Sequence, residues 1–441
     1  MNLLIEKAMV NKLCLLLLLA FGAVTAYRYP DLPPGPYCGL NHTEGTQCCA
    51  NRHDECSRRI RDTLCYCDEF CSREDHDDCC PDYEEVCMGM APPEPIGEAC
   101  VYKRQNFFPP DTTMQDCNSC QCSQVAQGVT QWVCEHDLCL MDEDLVHAVN
   151  NQKLSWRAAK YSQFYGKKLK DALVYKLGTF PLSAEARRTW PMTYNKENFI
   201  PQMEFDSRKA WPGFISPVVD QGWCGSDWAV SIAGVMSDRY AIQSNGAEKK
   251  VLSPQSLLSC SRRMQRGCKG GHIDVAWNYA KNHGLVDEEC YPYEASVQPC
   301  KLKRHGNLID DGCQQPITKR TSRYKVGPIG RLQNEEDIMY DIMQSGPVHA
   351  IMTVYQDFFH YRTGVYERSK QGNNQLKGLH SVRIVGWGEE QLKKYWLVAN
   401  SWGEWWGEAG YFKIRRGVNE ADIESFVVTV LSDVTESLRR K

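Results

Sequence analysis

An α+β globular domain preceded by small disulfide-rich modules is the fold class this sequence predicts, and three observations predict it. The chain has 441 residues, too many for a single compact core and suited to two to four domains. Its 23 cysteines are more than a reducing cytosol leaves free. From Phe205 onward the pattern changes to long mixed stretches, many aromatics and glycine-punctuated apolar strands. That change marks a globular domain of about 230 residues.

The first 26 residues read as a secretory leader. Lys7 and Lys12 precede an apolar run from Leu13 to Val24, and Val24-x-Ala26 supplies the small residues of a cleavage site. The apolar run, about twelve residues, falls short of the roughly twenty that a membrane span requires. Cys14 leaves with the leader, so the remaining cysteines are even in number. No second stretch of spanning length follows, so no transmembrane span is expected. A formal charge of −4 without a long basic run argues against a nucleic-acid partner. The single N-x-S/T sequon, Asn41-His42-Thr43, is the predicted glycan acceptor.

The other cysteines fall into blocks of ten (Cys38 to Cys87), six (Cys100 to Cys139) and six (Cys224 to Cys313), each able to close its own disulfides. Residues 27–90 hold too few aliphatics for a self-sufficient core, so cross-links must replace burial. Their spacing is CYCDEFC across Cys65, Cys67 and Cys71, DDCCPDY across Cys79 and Cys80, then Cys87. It resembles the somatomedin B domain, which implies a small secreted knot used for protein contacts, with Cys38 and one of Cys48 or Cys49 as an extra pair. A zinc site is the weaker reading in an oxidising compartment. Residues 91–99, APPEPIGEA, form a proline-rich spacer. Residues 100–140, with Cys117-x-x-Cys120-x-Cys122, Trp132-x-Cys134 and Cys139, resemble a truncated von Willebrand factor C-type repeat. A disulfide-pinned linker without binding duty is the plainer alternative there. Residues 141–203 contain no cysteine, and Phe164, Leu169, Leu173 and Leu177 recur as a roughly helical stripe. This stretch resembles the propeptide of cathepsin B-like enzymes, which lies along the cleft.

Residues 204–433 carry the closest resemblance, ahead of a tail over 434–441. FDSRKAWPGFISPVVDQGWCGSDWAV, GCKGG, YPYE, SGPV, LHSVRIVGWG, YWLVANSWG and WWGEAGYFKIRRG follow in the order of the papain family. The resemblance implies a two-lobed fold, one lobe helical and one barrel-like. Ser237 to Arg239 and Ile423 to Ser425 look most like cathepsin B. Two departures stand out: the loop from Cys290 to Cys313 lacks the histidine pair of that enzyme, and Phe214 and Ala241 stand where it has an early disulfide. For the cysteines the family pattern implies Cys224 with Cys268, Cys260 with Cys300, and Cys290 with Cys313.

Cleavage in this family needs a thiolate, made by a neighbouring imidazole and a helix N-terminus. The resemblance assigns Gln221 to oxyanion donation, His380 to the base and Asn400 to orienting the imidazole, while Asp227 fills the nucleophile position. A carboxylate attacking an amide would have to form a mixed anhydride while expelling a poor amine leaving group, so turnover is expected to be close to nil. Ser226, beside it, reads as a structural hydroxyl. Asp227 is expected to open a helix running to about Tyr240, with Trp228, Ile232 and Val235 buried, where an acid gains about 0.3–1 kcal/mol as a cap. It is also expected to face His380 and hold it as imidazolium. Gly270 and Gly271 are expected to line the cleft and Glu424 to sit at the base of the specificity pocket. The tryptophans Trp387, Trp402, Trp405 and Trp406 read mostly as core. Together the segments resemble the tubulointerstitial nephritis antigen family, which implies a secreted matrix or basement-membrane glycoprotein that binds rather than cleaves. The partners implied are matrix components, cell-surface receptors or a secreted signalling ligand, with the cleft and the knot modules as contact surfaces. No cofactor and no metal are implied. The rival readings are an active endopeptidase and a cathepsin inhibitor or decoy.

Overall fold

A computed structural model describes residues 35, 37–39, 48–60, 63–72, 78–90, 99–126, 128–197, 199–302, 323–371 and 376–434. The leader, Asn41, Cys313, most of the proline-rich spacer and most of the tail lie outside the described residues. The chain divides into two compact units, 1–109 with 124–131, and 110–123 with 132–441.

In the first unit, β1 (Ser57–Ile60) and β2 (Thr63–Tyr66) form an antiparallel hairpin. Disulfides substitute for apolar bulk. Cys38–Cys67, Cys48–Cys87, Cys49–Cys56, Cys65–Cys80 and Cys71–Cys79 surround Ile60 and Tyr83. Cys38 therefore does not pair with Cys48 or Cys49. The Asp82 carboxylate accepts the Cys38 and Gly39 N–H groups at 2.7 and 3.0 Å, a long-range contact that holds Cys38 beside Cys67. A second hairpin joins β3 (Cys100–Tyr102) to β4 (Gln105–Phe107) through Lys103 and Arg104, both at positive φ.

A three-stranded sheet of β5 (Thr112–Gln115), β6 (Asn118–Ala126) and β7 (Val129–Cys134) follows in the chain. Cys117–Cys139 and Cys120–Cys134 staple it. Residues 141–203, here termed the strap, follow. Asp142 caps α1 (Glu143–Asn150) by accepting the Leu145 N–H, and the helix buries Leu145, Val146 and Val149. Then come β8 (Trp156–Ala158), a 3₁₀ turn over Ser162–Phe164 and α2 (Leu169–Tyr175). The expected continuous helical stripe is broken at Gly166, whose φ of +71° turns the chain between the two short elements. Phe164, Leu169 and Leu177 are nonetheless buried and Leu173 packs partly against them, so the apolar positions hold although their period misleads. A short helix α3 (Ala184–Arg187) ends the ordered elements of the strap.

The remaining chain builds two packed lobes. One gathers around α4 (Asp227–Gln243), α5 (Pro254–Cys260) and α6 (Ile273–Asn282). Fifteen of the seventeen residues of α4 are buried, Trp228, Ile232 and Val235 among them, so this helix runs through the interior rather than along a face. The other lobe is a nine-stranded sheet. It uses β9 (Phe205–Asp206), β10 (Val326–Leu332), β11 (Val348–Tyr355), β12 (Tyr361–Tyr366), β13 (Lys377–Glu390), β14 (Lys393–Ala399), β15 (Tyr411–Arg415) and β16 (Val427–Ser432). The order is β10-β16-β11-β13-β14-β15-β12-β8, with β9 on β13. β8 of the strap is thus the edge strand, antiparallel to β12 with Trp156 opposite Gly364. Trp387, Trp396, Trp402 and Trp406 are all buried in this lobe together with Trp156 and Phe164 of the strap.

Two buried ion pairs fasten α4. Arg383 on β13 meets Asp238 at 2.6 Å, and Ser216 hydrogen-bonds both. Arg239 meets Asp341 on the helix Glu335–Ser345 and also donates to the Pro347, Val430 and Gly346 carbonyls. Burial pushes the Asp238 carboxyl up, against the pull of Arg383. Removing Arg383 strands a fully buried carboxylate, so Arg383→Met is expected to lower stability by about 3–5 kcal/mol, read by chemical denaturation. A loss under about 1 kcal/mol would show that the pair does not hold the helix.

Candidate functional site

Asp227 is the first residue of α4, completely buried, and all its polar contacts are long-range. Oδ1 accepts the Gly178 N–H at 2.7 Å. Oδ2 accepts the Thr179 hydroxyl at 2.6 Å and the Ser381 N–H at 2.8 Å, and His380 Nδ1 lies 3.2 Å away. The expected capping role is therefore not taken up: Ser226 is the N-cap and neither side chain caps the helix. The oxygens are drawn instead to the strap and to β13.

His380 is equally buried, and its Nε2 lies 2.7 Å from Asn400 Oδ1. That oxygen also accepts the Ser401 N–H at 2.8 Å, which fixes the amide orientation and makes Nε2 a donor. Nδ1 faces the Asp227 carboxylate across 3.2 Å, so each ring nitrogen is set against an oxygen acceptor. The tilted Trp402 ring, 5.2 Å from His380 by centroid, covers the imidazole. A second histidine, His349, lies close enough to feel the Asp227 charge but stays neutral, because burial pushes it down to about 3. Its Nδ1 accepts the Trp277 Nε1–H at 3.2 Å.

The groove named as a contact surface is filled by the strap, in the place its resemblance to a propeptide implies. Strap residues 176–180 run through it, Thr179 bridging to Gly271 on one wall and to Leu379 on the other. The Gly271 N–H donates to Gly178 O at 2.8 Å and the Phe180 N–H to Gly271 O at 2.9 Å. Gly178 presses on Gly225 so closely that a Cβ would lie 1.9 Å from the Gly225 carbonyl oxygen. Gly270 serves the same approach, since a side chain there would strike Phe180 and the Gly178 carbonyl, whereas one at Gly271 would strike Gln265 and Trp228 within the domain.

Gln221 Nε2 is turned toward carbonyls, Cys224 O at 2.8 Å and the strap's Lys176 O at 3.3 Å, while Ser401 Oγ donates to its Oε1 at 2.6 Å. The donor expected to meet an oxyanion thus faces strap backbone. Ser226 Oγ contacts the Tyr293 hydroxyl, away from the imidazole. Glu424 is not brought to this site. Its carboxylate accepts the Trp396 Nε1–H and the Gly417 and Asn419 N–H groups, closing the turn after β15, while the nearby Phe426 lines a cavity of about 230 Å³ with Ile273, Trp277 and strap residue Trp190. Cys224–Cys268 and Cys260–Cys300 form, and Cys290 is disulfide-bonded. Gly178, Thr179 and Ser381 escaped the sequence reading. Ser381 adjoins His380, but no sequence signal aims the strap's Gly-Thr pair at Asp227.

Residues 201–431 match the model of the family described as papain family cysteine protease. A tubulointerstitial nephritis antigen-like protein of Homo sapiens is 38% identical over 446 residues, covering 93% of this chain and 94% of that protein. The tubulointerstitial nephritis antigen of Bos taurus is 37% identical over 456 residues, covering 92% and 94%. Among solved structures, a procathepsin B from Trypanosoma congolense matches with a TM-score of 0.55 and 30% identity over 67% of this chain and 99% of that one.

Strap residue Lys176 is buried between Trp223 and Trp405, with ring centroids 5.6 and 5.8 Å from Nζ and Asp220 3.7 Å away. Burial pushes its ammonium down to about 8 despite Asp220. An unfolded lysine titrates near 10.4, so between those values the unfolded chain holds the extra proton and stability rises with pH. Below pH 8 both states are charged and the cost of burying the charge is fully present. Lys176→Met is therefore expected to raise Tm at pH 7, and the gain to shrink as pH climbs through 8 to about 10. A pH-independent difference between the two melting curves would refute the assignment.

Proposed function

Because the chain belongs to the papain family of cysteine proteases and, within it, to the tubulointerstitial nephritis antigen family, we propose that it is a secreted extracellular protein that binds without cleaving. The observation that carries this reading is the Asp227 carboxylate opposite His380. The imidazole and the amide that would prepare a nucleophile lie within hydrogen-bonding distance of each other, His380 to Asn400 at 2.7 Å, but the group the imidazole faces is a carboxylate whose oxygens already accept three donors besides the ring. Such a carboxylate is a poor nucleophile, and its attack on an amide would lead to an anhydride. Every cysteine among the described residues is disulfide-bonded, so none of them offers a thiol to His380.

The cysteine pattern supports secretion, since five disulfides hold a module whose core is largely sulfur. No helix among the described residues is long and apolar enough to cross a membrane. With the groove filled, the contact surfaces of this proposal are the stapled modules and the outer faces of the lobes. The partners are extracellular proteins: matrix components, receptors or a secreted signalling ligand.

Purified protein incubated with arginine-containing fluorogenic peptides and a thiol-directed epoxide is expected to give neither turnover nor covalent label. Specific proteolysis by the wild-type chain, abolished in His380→Ala, would sink the reading. Capture of partners from extracellular fluid by the full chain, identified by mass spectrometry, addresses the binding half.

A further inference from the structure

We propose that Asp227 is a peptide-binding residue whose built-in ligand is the strap: its carboxylate recognises a glycine followed by a hydroxyl residue, and so keeps the cleft filled in the mature protein. The inference deepens the non-cleaving reading and rests on it, because a cleft with a reaction to run would have to be vacated.

A carboxylate offers about four acceptor positions where a thiol offers one weak one. Here two donors come from the strap, the Gly178 N–H and the Thr179 hydroxyl, and two from the opposite wall, the Ser381 N–H and His380. Hydrogen bonds to a buried charge are the stronger kind, and none of these groups competes with bulk water. The strap therefore completes the solvation of an anion that the domain alone leaves short of partners. Empty of strap, Asp227 would lose two of these four donors.

The same contacts state what the site selects. Position 178 admits only glycine, since a Cβ there would lie 1.9 Å from Gly225 O and 2.7 Å from Asp227 Oδ1. Position 179 requires a hydroxyl that serves twice. The Thr179 proton goes to Asp227, so its oxygen accepts from Ser381 Oγ at 2.7 Å. A methyl in its place would strand both the carboxylate oxygen and the serine. The two-way ladder with Gly271 fixes the register, and Phe180 follows with its edge to His272 at 5.0 Å and Arg266 over its face at 5.6 Å. The ligand class is thus an extended peptide reading glycine, hydroxyl residue, aromatic.

The rest of the strap is anchored elsewhere, through β8 and the aromatic core, so the effect of Asp227 is local and is tested locally. Amide hydrogen exchange of the full chain, followed by mass spectrometry, compares peptides covering 174–182 with peptides covering 156–164. In wild type both are expected to be protected. Thr179→Val and Gly178→Ala are expected to speed exchange in 174–182 roughly tenfold to a hundredfold and to leave 156–164 unchanged, while Thr179→Ser behaves as wild type. Asp227→Asn, which puts donors where donors already point, should resemble Thr179→Val. Fast exchange of 174–182 in wild type, or equal exchange in Thr179→Val and Thr179→Ser, would overturn the proposal. Peptide turnover reads a separate property: turnover by wild type defeats the non-cleaving function, whereas equal exchange without turnover defeats only the clasp.

Discussion

A charge buried without water must be met by hydrogen-bond donors, and the Asp227 carboxylate meets them from three directions at once. It stands on the helix that runs through one lobe, it faces Ser381 and His380 on a strand of the other, and it takes two donors from the strap. Neither lobe satisfies it alone. The requirement propagates: the glycines at 178, 225 and 270 let one backbone come within reach of one anion, and the amide of Gln221 turns toward the same backbone. Three turns further along the same helix, Asp238 and Arg239 repeat the pattern with Arg383 and Asp341. The central helix is therefore a line of buried charges, answered from β13, from the strap and from the helix Glu335–Ser345.

Much of this was legible in the sequence, and for identifiable reasons. The start of the central helix, the pairing of Asp227 with His380 and of His380 with Asn400, and the two disulfides flanking the cleft lie in motifs whose chemistry is local or whose order is diagnostic. What was not legible depends on distance. The bond from Cys38 to Cys67 is chosen by Asp82, 44 residues away, and nothing in the spacing of the cysteines announces it. The stripe from Phe164 to Leu177 named the right buried side chains, but Gly166 broke the helix that the period suggested. Glu424 was assigned to the cleft by its neighbours in sequence. A single tight turn, in which it accepts two backbone N–H groups, carries it away.

That residues 141–203 lie along the groove was implied by their resemblance to a propeptide; which of their residues meet Asp227 was not, because that register is a property of two segments and the sequence displays them one at a time. Leu177-Gly178-Thr179-Phe180 has no composition that distinguishes it from a loop. Only against the Asp227 carboxylate and the Gly271 edge does each of its positions acquire a reason.

Beyond the groove, β8 has a consequence of its own. It is the last strand of the nine, and it shields the flank of β12 while Trp156, Tyr161 and Phe164 lie over Tyr361, Trp402 and Phe359. Trimming the chain after the groove would uncover a row of unsatisfied backbone groups beside a large aromatic face, the combination that recruits neighbouring molecules into aggregates. An intact strap keeps that edge covered, so the domain's resistance to association depends on a segment that contributes no disulfide to it.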